Sequence, residues 1–196
     1  MNFTEKINKV YKNIDQLNAK DPNIETVNNK EVAKELIYGI RMTEMLSEFE
    51  PEASLALKIA ARGQHICRWE IPRKDYEMNR VGYLTWRKDL KKFHAEKLKT
   101  ILTELDFETE IINRVSFLIE KKKLKKDNET QSLEDVICLV FLKYYYESFY
   151  VKHDEGKVID IIQKTWRKMS ERGHEQALKL TYSENGLELI KKALSA

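Results

Sequence analysis

Four histidines stand in the chain, His65, His94, His153 and His174, and the first two occupy places where an imidazole could do chemistry. His65 closes a helical pattern just before an aperiodic stretch, and His94 lies inside the long helical pattern that follows. Glu134 and Asp135 open the most apolar segment of the chain. A helical bundle could bring two imidazoles and a carboxylate to one point. His65, His94 and Asp135 would then suit a divalent ion such as manganese, iron, zinc or nickel, with a bound water acidified to hydroxide. The plainer reading is that two histidines fall near helix ends by chance.

A second constellation is basic. Between Arg62 and Lys92 stand nine Lys+Arg against four Asp+Glu, a local charge of +5 in a chain whose net charge is +3. Arg62, Arg68, Arg73, Arg80 and Arg87 are interleaved with Trp69, Tyr76, Tyr83 and Trp86. Forked guanidinium donors and flat aromatic faces are how phosphates and bases are held. The same residues could instead staple an ordered loop to its domain through Arg–carboxylate pairs and a buried Trp. Nucleic acid is the weaker partner, because the positive excess is local and the aromatics follow no RNA-binding pattern. The run Lys121 to Lys126 reads as a solvated helix end, with contact to a phosphate as the lesser reading, and His153-Asp154-Glu155 reads as a cap.

The elements that must position these residues are helical. Phe3, Ile7, Val10, Tyr11, Ile14 and Leu17 recur at spacings of three and four, which predicts a first helix ending before Asp21-Pro22. Val32 to Phe49 predicts a second helix with Asn28 or Asn29 as its N-cap. Pro51 suits the first turn of a third, running to about Ile66. Residues 67–81 show no period, and Pro72 blocks a helix there, so an ordered basic and aromatic loop is expected. Gly82 to Leu105 and Ile111 to Ile119 follow as helices. Val136 to Tyr150 is apolar on nearly every side and reads as the central helix. Two more helices span Asp154 to about Arg172 and Glu184 to Leu194.

Six Gly and three Pro in 196 residues leave few turn formers for closely spaced strands. With 42% hydrophobic residues the chain can bury one core. An all-α, single-domain orthogonal bundle of about eight helices over residues 1–196 is therefore expected, with residues 1–20 packing on it as the N-terminal helix. Cys67 and Cys138 are the only cysteines, no apolar run reaches membrane-spanning length, and the N-terminus has no signal-peptide character. These features predict a soluble, cytoplasmic protein without a membrane partner; oligomeric state is not readable from them. A Lys168-Met169-Ser170 tripeptide resembles part of the nucleotide loop of class I aminoacyl-tRNA synthetases. The Gly-rich strand-to-helix turns that such a loop requires are absent from the sequence.

The segments ARGQHICRWEIPRKDYEMNRVGYLTWRKDLKKFHAEKL, LEDVICLVFLKYY and VIDIIQKTWRKMSERG resemble the family catalogued as Domain of Unknown Function 4202, along nearly the whole chain. More distantly, the chain is similar to the HD superfamily of helical, metal-dependent phosphohydrolases. That likeness implies an HD-like bundle in which His65, His94 and Asp135 hold the metal. Glu134 would orient the ligand or act as base, and Arg62, Arg68, Arg73, Arg80 and Arg87, with Trp69, would hold a phosphorylated metabolite. The sequence departs from the pattern where Ile66 replaces the Asp of the His-Asp pair, and where Arg41, Met42 and Glu44 stand in place of the first His. Glu44 could substitute, or the site could be rebuilt around Arg62, Gln64 and Arg68. Three functions are open: hydrolysis of a nucleotide or other phosphorylated metabolite, non-catalytic binding of a phosphorylated ligand or RNA end, or a purely structural or interaction role.

Overall fold

The computed structural model describes residues 3–195; Met1, Asn2, Ala196 and the side chains of Phe3 and Thr4 lie outside the described residues. The fold is all-α, with ten α-helices and one small hairpin among the described residues. The chain forms two compact units, one ending at Lys123 and the other beginning at Leu124.

In the first unit, α1 (Phe3–Asn18) buries Val10 and Ile14, the face that its spacing marks. The Asn-rich stretch after it is a hairpin, with β1 (Ile24–Val27) antiparallel to β2 (Lys30–Ala33). Asn28 and Asn29 both adopt positive φ, 50° and 60°, so they form its two-residue turn instead of capping the next helix. A two-residue hairpin turn asks for that left-handed backbone, which Asn tolerates better than other side chains. The helix α2 (Lys34–Phe49) follows directly, with Ala33 at its N-cap and no side-chain cap. Buried Asp21 replaces one, accepting from the Glu35 and Asn23 backbone N–H groups.

Pro51 lies in a turn, and α3 (Leu55–Arg62) begins four residues later because Ser54 caps it, accepting from Leu57 N–H. It stops at Gly63, before the expected end at Ile66. A Cβ at Gly63 would come within 2.5 Å of the Leu98 side chain on α4, so a side chain there would force Leu98 to shift. Residues 63–67 then turn, and two 3-10 turns, Arg68–Glu70 and Arg73–Asp75, make up most of the expected loop. Asn79 accepts from Gly82 N–H and starts α4 (Arg80–Glu104) two residues before the expected Gly82. Next comes α5 (Thr109–Ile119).

The second unit opens with α6 (Asn128–Val140), capped by Asp127. A π-helical turn, Phe141–Tyr145, divides the expected central helix and leads into α7 (Tyr146–Tyr150). Fully buried Tyr146 donates to Gly186 O on α10 (Glu184–Ser195). The segment from Asp154 is also two helices: α8 (Glu155–Trp166) ends, and Ser170 caps α9 (Glu171–Ala177). These two divisions turn the expected eight helices into ten. No described helix is long and apolar enough to cross a membrane.

Candidate functional site

His65 and His94 come together in the first unit. The turn after α3 carries His65, α4 carries His94, and their ring centroids are 6.0 Å apart. They line a small pocket that is open to solvent. Its walls come from four places. Gln64, His65 and Arg68 come from the turn, Arg87, Leu90, Lys91 and His94 from one face of α4, Ile119 from α5 and Lys121 from the turn that ends α5.

Each imidazole is oriented through Nδ1. Nδ1 of His94 lies 2.8 Å from Ile66 O; a carbonyl only accepts, so Nδ1 carries the proton and Nε2 presents its lone pair. Nδ1 of His65 lies 3.2 Å from Glu35 Oε2, and the ring stacks on Tyr38 with centroids 4.1 Å apart. Burial drives both imidazoles toward the neutral form. It pushes His94 down to about 3, with His65 as the next cause, and lowers His65 well below the usual histidine range, helped by Arg68, Arg87, Lys121 and Lys34. Burial likewise raises Glu35, against the pull of Arg68, Lys34 and His94.

Around these neutral rings stand four cations. Arg68 lies 3.8 Å from Glu35 and stacks over Trp86 at 5.2 Å, which fixes its guanidinium at the pocket wall. Arg87 forms no hydrogen bond or ion pair among the described residues. Lys121 is placed by an unusual helix end. Lys121 N–H bonds Leu118 O and Lys122 N–H bonds Phe117 O, the paired bonds that close a helix on a left-handed residue. That position usually belongs to Gly, yet here it is Lys121, at φ 57°.

The other expected phosphate residues do not line the pocket. Arg62 grips Asp15 through Nε and Nη2 at 2.8 and 2.6 Å and donates to Thr43, tying α3 to α1 and α2. Arg73 donates to the carbonyls of Tyr76, Glu77 and Asn79. It staples the loop, as does Trp86 Nε1, which donates to Ile71 O. Arg80 is exposed at the first turn of α4, and Trp69 is half-buried within the first 3-10 turn.

Glu134 and Asp135 belong to the second unit. Asp135 accepts from Ser170 N–H at 2.8 Å, Ser170 Oγ at 2.6 Å and Gln131 Nε2 at 3.1 Å. A Cβ on Gly173 would strike Asp135 Oδ1 at 2.7 Å, so the start of α9 sits directly against this carboxylate. Buried Glu134 lies 3.9 Å from Lys168 Nζ. Among the described residues no group of three His, Cys, Asp or Glu is placed to hold a metal ion. Four cations line the pocket, and the donor set that remains there does not fit a divalent cation. Cys67 and Cys138 are free and buried, and burial, with Glu70 beside it, pushes the Cys67 thiol up to about 11.

Sequence reasoning placed His65, Gln64, Arg68, Arg87 and His94 in one site, gave Lys121 only as a lesser candidate for phosphate contact within its lysine run, and missed Glu35, Tyr38 and Lys91. Lys91 lies one helical turn from Arg87, and that spacing was its available signal. The conformation of Lys121 has none.

The fold and site define an all-helical protein with a basic pocket around two neutral imidazoles. The chain belongs to the family described as Domain of unknown function (DUF4202), which matches residues 8–190. No curated protein and no solved structure matches it.

Proposed function

We propose that the pocket of the first unit binds a phosphorylated small molecule, with Arg68, Arg87, Lys91 and Lys121 as the anion-holding groups. The observation that carries this reading is the convergence of four half-buried cations on one pocket whose lining, among the described residues, includes no carboxylate and whose histidines burial drives toward the neutral form. A phosphate supplies the negative charge that the lining of this pocket lacks, and guanidinium groups match its geometry. The reading is one of binding. The HD-like alternative, metal-dependent hydrolysis, is favoured by the adjacency of His65 and His94 alone.

Calorimetric titration with inorganic phosphate and pyrophosphate tests it. Binding that weakens as salt is raised, and weakens about tenfold in Arg87→Gln, is the expected result. Absence of binding by both anions, or affinities untouched by Arg87→Gln, would overturn it. So would near-stoichiometric metal in the purified protein that disappears in both His65→Ala and Asp135→Ala, which would install the hydrolase reading instead.

A further inference from the structure

We infer that the phosphorylated compound held in this pocket also carries hydroxyl groups, as a sugar phosphate or other polyol phosphate does, and that Gln64 and His94 recognise them. The inference rests on the anion-binding reading above and adds the chemistry of the rest of the ligand.

Two buried polar atoms have no hydrogen-bond partner among the described residues, and both belong to the pocket wall: Gln64 Oε1 and His94 Nε2. Their residues are 5% and 3% exposed. Buried acceptors without a donor are rare in folded proteins because burial strips them of water without replacement. Two in one wall, beside four cations, describe a site with two acceptors that no donor reaches and with positive charge that no lining carboxylate offsets.

A phosphate group meets only half of that description. Its oxygens accept from Arg68, Arg87, Lys91 and Lys121, and a fully ionised phosphate has no proton to offer His94 Nε2. A metal cation could take the lone pair of His94, but the surrounding charge opposes it. A hydroxyl satisfies both groups. It donates to His94 Nε2, whose acceptor role is fixed by the bond from Nδ1 to Ile66 O, and it pairs with the Gln64 carboxamide in either orientation because it both donates and accepts. The cations thus form a donor set for the phosphate, and Gln64 and His94 an acceptor set for hydroxyls on the same molecule. Leu90 and Ile119 supply the apolar part of the wall, against which the carbon skeleton can pack.

The test compares phosphates that differ in hydroxyls. The full chain is titrated calorimetrically with methyl phosphate, which has none, and with glycerol 3-phosphate, ribose 5-phosphate and glucose 6-phosphate. At least one polyol phosphate is expected to bind about tenfold more tightly than methyl phosphate, the gain from two hydrogen bonds. Gln64→Leu and His94→Phe should each remove about threefold of that gain while leaving methyl phosphate affinity within about twofold. If His94→Phe does not fold, Gln64→Leu decides alone, since its side chain keeps nearly the same size. Equal affinities across the panel, or a preference that survives the substitutions, would overturn the inference and leave anion binding standing. Loss of binding by inorganic phosphate and methyl phosphate alike would bring down the anion reading itself.

Discussion

His94 is buried, only 3% exposed, and its chemistry follows from that. A neutral imidazole with a fixed tautomer is a good hydrogen-bond acceptor and a poor home for a proton, since protonation would place a charge in the interior beside Arg68. The consequence for stability has a definite sign. The folded protein holds His94 near 3 while the unfolded chain leaves it near 6.5, so between these values the unfolded state binds more protons and stability falls as the pH is lowered. At pH 5 the cost is about 2 kcal/mol relative to neutral pH for this residue. Urea melts at pH 7 and pH 5 should show that loss, and His94→Phe should show less of it. The fixed tautomer also explains why His94 was legible only in part: its position on a helix face can be read from spacing, whereas the partner that sets its proton is the backbone of Ile66.

At the scale of elements, helix ends decide how much of the architecture could be anticipated. The apolar periods of α1, α4, α5 and α10 announce themselves because each repeats over several turns. The hairpin at residues 24–33 did not: each strand is four residues long, and Val32 and Ala33 fit the period of the following helix equally well. The breaks at Gly63 and Ser170 are set by tertiary neighbours, Leu98 and Asp135, which no local pattern contains. The same holds for the end of α5. A non-glycine residue in the left-handed position costs about 1 kcal/mol against Gly, and Lys121 bears that cost while its side chain joins the pocket. Lys121→Gly should therefore raise the urea midpoint by an amount worth about 0.5–1 kcal/mol while weakening phosphate binding several-fold. Lys121→Ala should weaken binding by a similar factor without the gain in stability. A Gly variant that leaves phosphate affinity unchanged would remove Lys121 from the anion-holding set.

The whole molecule is asymmetric in charge. The first unit carries 23 Lys+Arg and 20 Asp+Glu, the second 12 of each, so the entire excess of +3 belongs to the unit with the pocket. A long-range pull on anions would thus act on one unit, with the Arg62 to Lys92 stretch as its source. The division between the units also falls within the lysine run. Lys122, Lys123, Lys125 and Lys126 are exposed and lie in turns, with Lys123 and Lys125 at positive φ, so neither helix nor strand shields these peptide bonds. Trypsin cuts after lysine in accessible, extended chain, and such tips are where nicking concentrates. Brief digestion read by mass spectrometry should give first cuts between residues 122 and 127, yielding two fragments that correspond to the two units, while lysines within α4 and α8 stay intact. The connection between the units would then be the protein's most protease-sensitive seam, and bound phosphate, by engaging Lys121 just ahead of it, should slow that first cut.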